Sequence, residues 1–182
     1  MPLTVEESGL VAGIRSIPSP NHDDRPPGGQ IELIVIHAIS LPPGQFGGSE
    51  IVDLFCNRLD CNAHPYFATI RELKISPHFL IRRDGEFIQF VSCDKRAWHA
   101  GASSWRGRGG CNDFSIGIEL EGTDDVPFED AQYKWLAELT RALKAKYPIA
   151  DVVGHSEIAP GRKTDPGPCF DWARYRSMIK SD

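Results

Sequence analysis

Ile31-Glu32-Leu33-Ile34-Val35-Ile36-His37 is the stretch on which the fold turns. Its aliphatic residues run almost without a polar break, the pattern of a strand covered on both faces. Such a strand belongs inside a sheet with helices packed against it. The apolar run stops at an imidazole, His37, and Leu41-Pro42-Pro43-Gly44 then breaks the chain. Ser49 stands where it can cap a short helix through Phe55. Upstream, residues 16–30 hold four prolines and two glycines. That composition predicts no regular structure but a surface arm over residues 1–30, with room for a short helix over Val5–Ile14.

Further along, Phe79-Leu80-Ile81 and Phe87-Ile88 flank Asp84-Gly85, a two-residue turn signal, so His78–Val91 reads as a hairpin. Ser115–Glu121 alternates Ile116, Ile118 and Leu120 against Gly117, Glu119 and Glu121, the pattern of a strand. Trp135, Leu136, Leu139 and Leu143 recur at helical spacing within Glu129–Tyr147. A short strand, Asp151–Gly154, delivers His155, and a last helix covers Asp171–Ile179. The order predicts one α/β domain, a central mixed β-sheet flanked by α-helices. Its body spans residues 31–182.

The chain has 182 residues, enough for one domain with a sizeable core. A formal net charge of −5 with no basic run argues against nucleic acid as a partner. The densest apolar run, Leu33–Ile36, is far too short to span a bilayer, and no targeting segment is visible, so no membrane partner and a cytoplasmic location are expected. Five scattered cysteines fit reduced thiols better than a disulfide framework. Nothing in the sequence specifies an oligomeric state.

The chemistry concentrates in Gly154-His155-Ser156-Glu157-Ile158-Ala159-Pro160-Gly161-Arg162-Lys163-Thr164-Asp165-Pro166-Gly167. Together with His37, this loop offers two imidazoles and a carboxylate, the plan of a catalytic zinc site that leaves a fourth position for water. Pro166 pushes Asp165 toward extended backbone, where Lys163 and Asp165 face the same way. Spacing alone leaves a structural role open for each histidine; His22 and His64 are read as structural. Glu119 faces either solvent or a cleft by alternation, and beside a metal it becomes a general base. Cys169 near His155 is the alternative nucleophile or ligand, with no flanking sequence that marks an activated thiol. Trp98, His99, Arg106 and Arg108 form a further cluster whose aromatic faces and guanidinium groups suit sugars and carboxylates. Lys74 could serve similarly.

The blocks ISLPPGQFGG (39–48), AHPYF (63–67), LIRRDGE (80–86), DKRAWHAG (94–101), CNDFSIGIELEGTD (111–124), GHSEIAPGRKTDPGP (154–168) and FDWARYR (170–176) carry a resemblance. The chain resembles the zinc-dependent N-acetylmuramoyl-L-alanine amidases of the amidase-2, peptidoglycan-recognition-protein-like fold, from about Arg15 to Met178. The resemblance implies one zinc ion per chain on His37, His155 and Asp165, with Glu119 and Lys163 as the catalytic pair. Members most like this chain act on a small soluble 1,6-anhydro-muropeptide, cutting between the lactyl group of anhydro-muramic acid and L-alanine. That implies a part in cell-wall recycling and, through the muropeptide pool, in β-lactamase induction. An amidase of polymeric peptidoglycan and a non-catalytic muropeptide-binding module are the other roles this fold allows. Those members usually carry Asn after the first histidine, where this chain has Ala38, and Arg before the Cys-Asn pair, where it has Gly110. Lys74 replaces an Arg, keeping charge but losing the bidentate fork. Ala38, Lys74, Trp98, His99 and Arg108 are thus the expected substrate contacts.

Overall fold

The computed structural model describes residues 2–180; Met1, Ser181 and Asp182, the outermost residues of the expected ranges 1–30 and 31–182, lie outside the described residues. In chain order the elements are β1 (Arg15–Ser16), β2 (His22–Asp24), β3 (Leu33–Ile39), α1 (Glu50–Phe55), α2 (Pro65–Thr69), β4 (Phe79–Ile81), β5 (Phe87–Gln89) and β6 (Lys95–Ala97). They continue with β7 (Ser104–Trp105), β8 (Arg108–Gly109), a 3₁₀ turn (Cys111–Asp113), β9 (Ser115–Glu121), α3 (Asp130–Lys146), β10 (Asp151–Gly154), α4 (His155–Ile158) and α5 (Trp172–Lys180).

The main sheet has the order β1-β5-β4-β9-β3-β10. β3 lies between β9 and β10, parallel to both, while β4 and β5 are antiparallel, so the sheet is mixed as expected. The aliphatic run of β3 is explained by this central place. Ile34 and Ile36 join Ile116, Ile118, Leu136, Leu139, Leu143 and Tyr175 in the core under α3 and α5. Leu33 and Val35 pack on the opposite face against Ala100, Phe114, Val153 and Ile158. A third cluster sets Leu54, Phe55 and Phe67 of α1 and α2 against Leu80 and Ile88. Each fully buried aliphatic side chain contributes about 1.5–3 kcal/mol, so both faces of β3 are needed.

α3 is anchored chemically as well as by its apolar stripe. Gln132 Oε1 accepts the Glu129 N–H at 3.0 Å, closing the first turn. The same buried amide donates to the carbonyls of Ile81 (3.1 Å) and Glu121 (3.0 Å), which ties the helix to the sheet.

The structure corrects several expectations. Val5–Ile14 is not a helix: Val5 and Val11 form an antiparallel bridge, and Gly9 and Gly13 adopt left-handed φ values of 75° and 82°. A side chain at Gly9 would collide with Ser92. The proline-rich arm does contain regular structure, since β1 pairs with β5 and β2 with β6. Ser19 and Asn21 between them are buried. The hairpin closes through a wider turn than the two-residue signal predicts, with Gly85 at φ 90° donating to Arg82 O. α2, β6 and the β7–β8 ribbon are too short to show a period in the sequence. No helix among the described residues is long and apolar enough to cross a membrane.

Candidate active site

His37 and Glu119 sit directly beside each other in the parallel register of β3 and β9. They lie on the sheet face opposite Ile36 and Ile118, near the carboxyl ends of both strands, where open α/β sheets form their sites. β10 runs alongside β3 and hands the chain to α4, whose first residue is His155. The loop after α4 folds back so that Asp165 O accepts the Ser156 N–H at 3.0 Å. Three segments distant in sequence therefore meet at one point.

The meeting is close. His37 Nδ1 is 2.9 Å from His155 Nδ1 and 3.3 Å from Asp165 Oδ2, and His155 Nδ1 is 3.2 Å from the same oxygen. Ligand atoms about 2.0–2.1 Å from a tetrahedral zinc stand roughly 3.3 Å from one another, so this spacing fits such an ion. The group can hold a metal. His155 Nε2 faces the Ala100 carbonyl at 3.1 Å, an acceptor only, so neutral His155 carries its proton there and turns a lone pair to the cluster. The Ala38 N–H lies 3.4 Å from Asp165 Oδ2.

Electrostatics separate the carboxylates. Burial acts to raise Asp165, but the adjoining imidazoles of His155 and His37 overcome it and hold the group below the ordinary range. Burial, and then the Asp165 charge, push Glu119 well above the ordinary glutamate value, with Lys163 opposing. Glu119 Oε1 is 3.9 Å from His37 Nδ1, while its Oε2 is buried without a hydrogen-bond partner among the described residues. The face of β9 that alternation leaves open to solvent or cleft is covered, and Glu119 is 9% exposed. Burial likewise lowers the His37 pKa.

A cleft of about 490 Å³ opens over this cluster. Ala38, Lys74, Trp98 and His99 all line it, as do Glu119 and Lys163. Lys163 is exposed on its loop. His99 also reaches behind the cluster, where its Nδ1 is 2.8 Å from His37 Nε2. Arg108 is not brought to the cleft: it donates to Glu32 at 2.8 Å and lies 4.0 Å over the Phe114 ring. Cys169 is half-buried and outside the metal-compatible group. His64 caps α2, accepting the Tyr66 N–H at 3.1 Å, and His22 is exposed on β2. Sequence reasoning assigned no role to Tyr66, which lines the cleft, or to His78 and Asn112, which lie beside His99. Burial, and then Arg25, push His78 down to about 3, so its neutral ring accepts the Gly117 N–H. Each of these contacts crosses between segments and leaves no local pattern.

The chain matches the family model described as N-acetylmuramoyl-L-alanine amidase (Amidase_2) over residues 27–168, and it belongs to that family. The resemblance carried by its motifs is thereby borne out. Among its relatives, the 1,6-anhydro-N-acetylmuramyl-L-alanine amidase AmpD of Citrobacter freundii is 57% identical over 175 residues, covering 95% of this chain and 94% of that one. A crystal structure of a selenomethionine AmpD derivative aligns with a TM-score of 0.93 at 58% identity, covering 95% of this chain and 98% of that one. AmiD from Escherichia coli, in complex with the substrate anhydro-N-acetylmuramic acid-L-Ala-D-γ-Glu-L-Lys, aligns with a TM-score of 0.59 at 30% identity. That alignment covers 97% of this chain and 65% of AmiD.

Proposed function

We propose that this chain hydrolyses the amide between the lactyl group of 1,6-anhydro-N-acetylmuramic acid and L-alanine of the stem peptide, in cytoplasmic recycling of peptidoglycan fragments. One zinc ion per chain, held by His37, His155 and Asp165, serves the reaction. The observation that carries this is the convergence of two imidazole nitrogens and a carboxylate oxygen within 3.3 Å of one another, beside a buried carboxylate. Family membership supplies the reaction class, and the AmpD relatives supply the substrate.

When bound, zinc supplies Lewis acidity that polarises the scissile carbonyl and eases deprotonation of water. The chain's own residues do the rest. Glu119 takes the proton of the attacking water and delivers it to the leaving amine nitrogen. Its burial keeps its proton affinity above that of an ordinary glutamate, which suits a group that must both accept and release. The Lys163 ammonium stabilises the negative charge that develops on the carbonyl oxygen, an effect worth roughly 3 kcal/mol for a well-placed donor. Trp98 offers an aromatic face to the sugar, and Lys74 offers charge to a substrate carboxylate. A cleft of about 490 Å³ is of small-ligand size.

Two measurements test the proposal. Release of L-alanine-linked peptide is compared between anhydro-muropeptide and intact sacculi; a preference for sacculi overturns the substrate assignment. Zinc is quantified in the parent and in Asp165→Ala; the variant is expected to lose the metal, and full occupancy with full activity removes the ligand assignment.

A further inference from the structure

The outer nitrogens of both ligand histidines end on one short segment. His37 Nε2 is 2.8 Å from His99 Nδ1, and His155 Nε2 donates to Ala100 O at 3.1 Å. These partners are adjacent residues of an irregular loop, which by itself holds neither in place. Their peptide is gripped by Asn112. Its Oδ1 accepts the His99 N–H at 3.1 Å and the Ala100 N–H at 2.8 Å.

The grip has a foundation. Asn112 sits in the 3₁₀ turn Cys111–Asp113, entered through Gly110 at a left-handed φ of 68°. Arg25, from the N-terminal arm, donates to the carbonyls of Asn112 (3.1 Å), Asp113 (3.2 Å) and Ser115 (2.9 Å), and twice to Cys93 O. On the other side of the clamp, the His99 ring lies against β9 where Gly117 has no side chain; a Cβ there would stand 2.4 Å from the ring. His99 Nε2 reaches Ser115 Oγ at 3.0 Å. Imidazole and hydroxyl can each donate or accept, so the His37–His99 bond survives whichever nitrogen of His37 carries the proton.

We infer that Asn112 is a positioning residue for the metal site: through the His99–Ala100 peptide, it sets the orientation of both ligand imidazoles. The inference rests on the zinc assignment above. Outer partners of ligating histidines fix ring orientation and tautomer, and their loss costs about 10–100-fold in metal affinity.

The test uses the full chain and its Asn112→Ala, Asn112→Asp and His99→Phe variants, with zinc as the probe. Asn112→Asp keeps an oxygen acceptor for both amides. Zinc dissociation constants are measured by chelator competition. The tautomer of His155 is read from long-range ¹H–¹⁵N spectra of the metal-free chain near pH ~8, where imidazole is neutral. Asn112→Ala is expected to weaken zinc about 10–100-fold and to lose the single Nε2–H form of His155. Asn112→Asp should restore both, and His99→Phe should weaken zinc while leaving the His155 tautomer intact. Unchanged affinity and an unchanged His155 signal in a folded Asn112→Ala overturn the inference. If Asn112→Ala does not fold, loss of the His155 tautomer in folded Asn112→Asp or in His99→Phe overturns it equally. A parent that binds no zinc defeats the zinc assignment instead, and the metal-free spectra still decide the role of Asn112.

Discussion

Glu119 and Glu121 stand two residues apart on the same face of β9, both buried, and they are built to opposite ends. Glu121 accepts the Gly47 N–H at 2.7 Å, the Arg82 guanidinium at 3.1 Å and the Arg83 N–H at 3.2 Å. It is a satisfied anion that holds a loop and an arginine. Glu119 has an oxygen with no partner among the described residues and a proton affinity raised by burial. A buried polar group left unsatisfied is costly, and its place beside His37 is where chemistry can use it. The pair teaches that burial of a carboxylate says little until its partners are counted.

The contrast breaks most sharply under substitution. Glu119→Gln is expected to lower kcat about 10²–10⁴-fold, since the variant cannot relay a proton, while zinc content holds and the melting temperature does not fall. A Glu119→Gln enzyme with near-parental kcat would erase the distinction. Glu121→Ala should do the reverse. It leaves buried Arg82 with only the more distant Glu86 carboxylate at 3.6 Å and costs about 1–3 kcal/mol in denaturant unfolding, with kcat per folded molecule changing far less than in Glu119→Gln.

A pH series sharpens the same contrast in the metal-free chain. Glu119 is raised by folding, so the stability linked to it is present below the unfolded value of about 4.3 and is lost as pH climbs through the folded value. Asp165 is lowered, so its contribution is present above about 3.9 and is lost on acidification below that. Unfolding measured from acid to neutral pH should thus lose the alkaline-going decline in Glu119→Gln and keep the acid-side loss. An unchanged decline would contradict the environment assigned to Glu119. The smallest effect is expected at the cleft rim, where Lys74→Ala should raise KM by no more than about fivefold, as an exposed charge contact of about 0.2–1 kcal/mol would, with kcat kept. A large fall in kcat there would move Lys74 into the chemistry.

Much was legible in local pattern. The strands at Leu33–Ile39, Ser115–Glu121 and Asp151–Gly154 and the helices at α3 and α5 follow from apolar periodicity. His37, His155 and Asp165 stand out because imidazoles and a carboxylate cluster at strand ends and beside a proline. The arm misled, since its prolines and glycines hide two short strands whose pairing partners lie in β5 and β6. Arg108, read as a substrate contact, is turned by the structure to Glu32 instead.

What the sequence by itself determined is the mixed α/β sheet and its family, because both rest on local periodicity and on ordered motifs. Tertiary structure alone decided the contrast between Glu119 and Glu121, the three-way meeting of His37, His155 and Asp165, and the clamp through Asn112. Alternation assigns a side chain to a face but cannot say which distant donors meet it there. Only the register of β3 against β9, and the loops laid across that register, bring those donors within hydrogen-bond reach.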